Sequence, residues 1–183
     1  MSLRLRLLEL CIPERVARSA IRRLLEATAS AFGCEPVEVN GLDRRMMLER
    51  YAAFTASNAD RAVARRDDLD DLAHRMWSNA YAMGESLRHR LGVRTREDAV
   101  RAARIAYRMI DIDLRADRYG DVVVERCFFA ERYSPAVCRL MSSLDAGVVA
   151  GLTGGGRLTF SERITEGRPR CIARIAWEGA LGP

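Results

Sequence analysis

The hydrophobic period of the chain changes near residue 110, and that change fixes the fold class. From 13 to 110 apolar side chains recur every three or four residues, the repeat of a helix; after 111 short alternating runs, the repeat of strands, stand on either side of one further helical stretch. The stretch 13–32, PERVARSAIRRLLEATASAF, has Pro13 suited to a first helical position and stops at Gly33. Val16, Ala20, Leu24, Ala27 and Ala31 mark its expected buried stripe. DRRMMLERYAAFTA predicts a shorter helix. Leu69, Leu72, Ala73, Met76, Ala80, Met83, Leu87 and Leu91 predict a long one ended by Gly92. TRED at 95–98 has the form of a capping box and opens a helix to about Ile110.

Beyond that point DIDLRAD and DVVVERCFF flank the turn RYG, and Ser134-Pro135 starts a helix, PAVCRLMSSLDAGVVAGL. TGGG ends it, and RLTFSERI and CIARIAW alternate on either side of TEGRP. The expected fold class is α+β: one domain over 1–183, with a helical part at 1–110 and a ββαββ antiparallel core at 111–178, one helix packed on a face of the sheet. GLTGGGR is followed by a strand and has no lysine, so it is not a phosphate loop.

Charge narrows the partners. All 30 basic side chains are arginine, and they alternate with acids, as in RAVARRDDLDDLAHR, where a phosphate-binding face would gather them. Nucleic acid is not an expected partner, and helix faces laced with ion pairs are. The chain contains no run of about 18 apolar residues, so no membrane span is expected, and MSLRLRLLEL interleaves arginine with leucine unlike a signal peptide. The expected location is the cytoplasm, with a homodimer through the helical part as an option. The cysteine count, 5, is odd, so reduced thiols are expected, with Cys11 and Cys34 as small buried hydrophobes. His74 and His89 lack a partner at ligand spacing and read as surface residues, whereas Trp77 and the methionines read as core.

The remaining three cysteines fall in the last third. On a regular strand Leu158, Phe160, Glu162 and Ile164 share one side, as do Cys171, Ala173, Ile175 and Trp177, and Val123, Glu125, Cys127 and Phe129. On the following helix Cys138, Ser142, Asp145 and Val149 fall on one face. If that face packs on the sheet, Cys127, Cys138, Asp145, Glu162 and Cys171 converge. Such thiols are packing residues, metal ligands or nucleophiles.

VVVERCFFAERYSPAVC, LTFSERITEGRPRC and the preceding MWSNAYAMGESLRHRLGV resemble the L-2-amino-thiazoline-4-carboxylic acid hydrolase family, which is similar in layout to 4-vinyl-reductase-type small-molecule-binding domains. The resemblance covers about residues 70–177. It implies ring-opening hydrolysis of a C–N bond in a small cyclic amidine or thiazoline. Cys127, Cys138 and Cys171 would be the essential thiols, and Asp145 and Glu162 the acid and base. Glu125, Ser142, Phe160 and Thr165 would line the substrate site. Met141, Ile172 and Ala173 stand where the hydrolase pattern carries other residues. The alternative implied by the second group is a small-molecule-binding or sensor domain without catalysis. In that reading no cofactor is required, or zinc sits on Cys138, Glu162 and Cys171, with Cys127 completing the set. In both readings the partner is a small organic molecule.

Overall fold

The computed structural model describes residues 3–65, 68–177 and 181; the far end of the expected core, at 178, lies outside the described residues. Five helices precede the sheet: α1 (Leu3–Leu10), α2 (Glu14–Phe32), α3 (Arg44–Arg65), α4 (Leu69–Leu91) and α5 (Arg96–Met109). There follow β1 (Ile112–Ala116), β2 (Asp121–Cys127), α6 (Pro135–Thr153), β3 (Arg157–Glu162), a single 3-10 turn (Ile164–Glu166) and β4 (Cys171–Ala176). The strands form one antiparallel sheet in the order β1-β2-β4-β3. The fold is α+β, with a helical N-terminal part and a helix packed on the sheet.

The helix ends follow local chemistry. Asp68, Thr95 and Ser134 accept hydrogen bonds from the backbone N–H groups of Asp71, Asp98 and Val137. Asp98 reaches back one residue beyond the cap, accepting from Arg94 N at 3.3 Å. Gly33, Gly92 and Gly154 close α2, α4 and α6 in the left-handed conformation that a side chain disfavours. Helix α3 is longer than its sequence segment implied, running on through Arg65. In α2 the buried stripe is Ala17, Ile21, Leu25, Thr28 and Ala29, with Ala31 also buried. That is one residue on from the expected series: Val16, Ala20 and Leu24 lie on the flank and are only half-buried, because α2 meets α3 on one side and α4 on the other. Cys11 and Cys34 are exposed and not buried: each sits just past a helix end, its N–H closing the last turn on Leu7 or Ala29 and its side chain left toward solvent.

Helix α6 is the centre of the molecule. Val137, Leu140, Met141 and Leu144 join the main core with α2, α3 and α4. Val149 packs with Val122, Leu158, Ala173 and Ile175 of the sheet, and Leu152 joins the cluster of α1 and α5. Among the described residues it alone is long and apolar enough to cross a membrane by length and composition, although Arg139 and Asp145 interrupt its apolar run; most of it is buried against α4 and the sheet. Its crossing with α4 is made of backbone. A Cβ added at Gly84 would fall on the Val148 carbonyl, at Gly147 on the Trp77 carbonyl, and at Gly151 on the Tyr81 carbonyl. Such proximity favours dense dispersion contacts and Cα–H···O contacts that larger residues would prevent.

Two bulges decide which side chains face α6. Across β1 and β2 the register runs Leu114 to Val124 and then Asp113 to Arg126, leaving Glu125 unpaired. The extra residue reverses the alternation, so Cys127 shares the inner face with Val122 and Val124, while Glu125 is exposed. Across β3 and β4, Phe160 pairs with Ala173 and Glu162 with Ile172, leaving Ser161 as the extra residue. Glu162 therefore stands on the outer face, in a row with Ile172, Val123 and Arg115. Cys171, Ala173 and Ile175 are buried on the inner face, as alternation required.

Gly147→Ala and Gly151→Ala are each expected to force α4 and α6 apart, lowering stability by about 1–3 kcal/mol in urea unfolding, with no loss of helicity per residue to explain it.

Candidate functional site

A cavity of about 540 Å³ opens between α2, α4, α5 and α6, with its inner end at β1, β2 and the segment after β2. Pockets that hold a whole organic ligand measure roughly 300–1,000 Å³. The walls are apolar: Ala20 and Leu24 of α2, Met83 and Leu87 of α4, Ile110 just after α5, and Met141, Leu144 and Val148 of α6. The half-buried flank of α2 and the Met83–Leu87 edge of α4 thus face a void, which explains why both series depart from simple core stripes.

The inner end is aromatic. Tyr51 and Phe129 meet edge to face at 5.8 Å, and Phe129 and Tyr133 stack at 5.2 Å. The Tyr51 hydroxyl pairs with Thr28 Oγ1 at 3.2 Å and that of Tyr133 with Thr55 Oγ1 at 2.5 Å. With their hydroxyls satisfied by helical threonines, these rings contribute chiefly apolar surface. Burial holds both phenols well above the ordinary tyrosine value, so they stay neutral.

Asp145 is the only carboxylate lining the cavity among the described residues. Tyr107 on α5 donates to its Oδ1 at 2.7 Å. Burial pushes its carboxyl up to about 6; the Tyr107 hydrogen bond and then the Arg163 guanidinium oppose the rise. Arg163 follows β3, lies over the Phe160 ring at 4.5 Å and donates to Ser142 Oγ at 3.4 Å. Ser142 in turn donates to the Cys138 carbonyl at 2.8 Å.

The expected site residues divide into two groups. Cys127, Cys138, Ser142 and Asp145 all line the cavity. Cys171 lies behind them in the main core, its sulfur accepting from Ile164 N at 3.4 Å. Thr165 touches Cys138 from the 3-10 turn and is not part of the wall. Phe160 faces a second, small apolar gap between α5 and the sheet. Glu125 is exposed, and Glu162 has turned outward with its bulge, so neither reaches the site. Val149 packs on the sheet, and Met141 takes its place in the wall.

The thiols are held protonated. Burial pushes Cys127 up to about 12, against a lowering hydrogen bond from the Phe129 backbone, and Asp145 and the other two thiols add to the rise. Cys138 and Cys171 are also raised, chiefly by burial; the Thr165 side chain lowers the first and the Ile164 backbone the second. Among the described residues no three His, Cys, Asp or Glu side chains are grouped so as to hold a metal ion. The Cys138, Glu162 and Cys171 set does not fit zinc, because Glu162 stands on the far face of the sheet from Cys171.

Residue spacing did not single out Tyr107, Tyr51, Tyr133 or Arg163 for the site. Tyr107 carried the one available signal, a polar ring tip on an otherwise apolar helix face.

The Asp145 shift has a defined consequence for pH. Its folded value lies above the unfolded one, so folding takes up a proton: the contribution is fully present below about pH 4 and is lost as pH rises through about 6. Asp145 ionisation is expected to remove about 3 kcal/mol of stability across that window. The stability difference between Asp145→Asn and the wild-type chain, measured by urea unfolding from pH 4 to pH 7, should therefore move in favour of the variant by that amount.

Comparison of the chain with protein-family models, curated proteins and solved structures finds no match in any of the three, so a functional reading rests on the chemistry of the cavity.

Proposed function

We propose that this protein binds a small organic molecule in the cavity and holds it without forming a covalent bond. The observation that carries the reading is an apolar enclosure of about 540 Å³ with a single carboxylate at its inner end. Apolar walls supply affinity by burying the body of a ligand, at roughly 25 cal/mol per Å² before the entropy of association is subtracted. Asp145 supplies direction. One oxygen is taken by Tyr107, and the other is open to a hydrogen bond from a neutral donor such as a hydroxyl, where the ligand carries one. A matched donor at that depth favours the ionised carboxylate, whereas against a wholly apolar ligand end Asp145 can take up a proton, its value being raised to about 6.

Ring-opening hydrolysis of a cyclic amidine is the second reading. It is favoured by one observation: a thiol, Cys127, and a carboxylate with a value of about 6, Asp145, line the same cavity. Attack on carbon needs the thiolate, however, and burial drives all three thiols the other way. Binding without chemistry needs no such activation.

Two measurements separate the readings. N-phenylnaphthylamine, a neutral fluorescent amine, should bind saturably at one site per chain, and Ala106→Phe, which fills the cavity, should abolish the signal. An unchanged signal in that variant would place the dye elsewhere and end the cavity reading. With iodoacetamide at pH 7, Cys11 and Cys34 should react at the rate of free thiols, and Cys127, Cys138 and Cys171 far more slowly. A fast thiol among the last three would favour hydrolysis.

A further inference from the structure

Some arginines of this chain are matched to acids on the same helix, as in Arg45 with Glu49 and Arg101 with Glu97. Two at the cavity are not. Arg23 of α2 and Arg90 of α4 both line it, and both are exposed, as are Ala82 and Ser86 beside them. These residues form the mouth, whereas Tyr51, Tyr107 and Phe129 at the other end are buried. Among the described residues Arg23 makes no ion pair, and the Arg90 side chain donates only to the Ser86 carbonyl, at 3.3 Å. The two guanidiniums also sense each other: partial burial and then the charge of Arg23 push Arg90 below its ordinary value. Like charges held together at a cavity mouth, without a carboxylate between them, leave nine N–H donors open to an anion.

From this placement we infer that the ligand is an organic anion, an apolar body with a terminal carboxylate or phosphate, whose charged end is clamped by Arg23 and Arg90 at the mouth. The inference rests on the cavity reading above and gives the ligand a polarity. Asp145 carries negative charge at the inner end and repels an anion there, so the charged group stays outside and the apolar body enters. The same two charges reject a simple hydrocarbon cation, which the guanidiniums would repel on entry.

The test compares decanoate with decanol by calorimetric titration of the full chain, since the two share a chain and differ in charge. Decanoate is expected to bind about tenfold more tightly at low salt, a preference that shrinks as salt screens the clamp. In the double variant Arg23→Gln/Arg90→Gln, both sites being exposed and outside the core, the ratio of the two affinities should fall toward one. Inorganic phosphate should compete with decanoate weakly and not with decanol. Equal affinities in the wild-type chain, or an undiminished ratio in the double variant, overturn the anion clamp while leaving the cavity reading in place. Failure of both compounds to bind, or binding that survives Ala106→Phe, overturns both.

Discussion

Helices α4 and α6 touch backbone to backbone because Gly84, Gly147 and Gly151 present no Cβ at their crossing. Every other feature is set against that contact. It fixes the axial offset of α6 against α4, and so the position of Asp145 and Val148 relative to Met83 and Leu87 across the cavity. It leaves the opposite faces of α6 free for the sheet and for α2 and α3. A tight contact on one side of a helix pair and a void on the other is a stable arrangement only if the void has rigid walls. Here Thr28 and Thr55 hold the tyrosine rings from behind, and Tyr107 holds Asp145.

Electrostatics then give the cavity a direction. Its inner end keeps one carboxylate, raised by burial and steadied by a phenol, and its mouth keeps two guanidiniums without acids. Between them lie methionine, leucine and isoleucine side chains that adapt to ligands of different shape. The same burial that raises Asp145 keeps the neighbouring thiols protonated, so the cysteine cluster serves as soft apolar wall and core in the resting protein.

The change of period near residue 110 made the α+β architecture legible in the sequence, and the capping residues Thr95, Ser134 and Pro135 placed helix starts correctly. The face of α6 was legible in part: Cys138, Ser142 and Asp145 line the cavity, whereas Val149, expected on the same face, packs on the sheet. What alternation could not supply was the bulges. A single unpaired residue, Glu125 in β2 or Ser161 in β3, reverses every later side chain, bringing Cys127 inward by a route other than simple alternation and turning Glu162 out. Gly147 and Gly151 were visible only as glycines in a helix, since their meaning lies in the α4 backbone opposite them. Arg23 and Arg90 were hidden in a chain whose basic residues are arginine throughout, because what sets them apart is their shared place at the cavity mouth, which residue spacing does not show.

Methionine methyl groups report on the cavity directly. Met83, Met109 and Met141 line it, whereas Met47 and Met76 are buried in the core away from it. In methyl-labelled protein titrated with decanoate, the resonances of the first three should shift together and saturably, and those of Met47 and Met76 should stay in place. Shifts confined to Met47, Met76 or the exposed Met46, or no shift at all at saturating ligand, would contradict binding in this cavity.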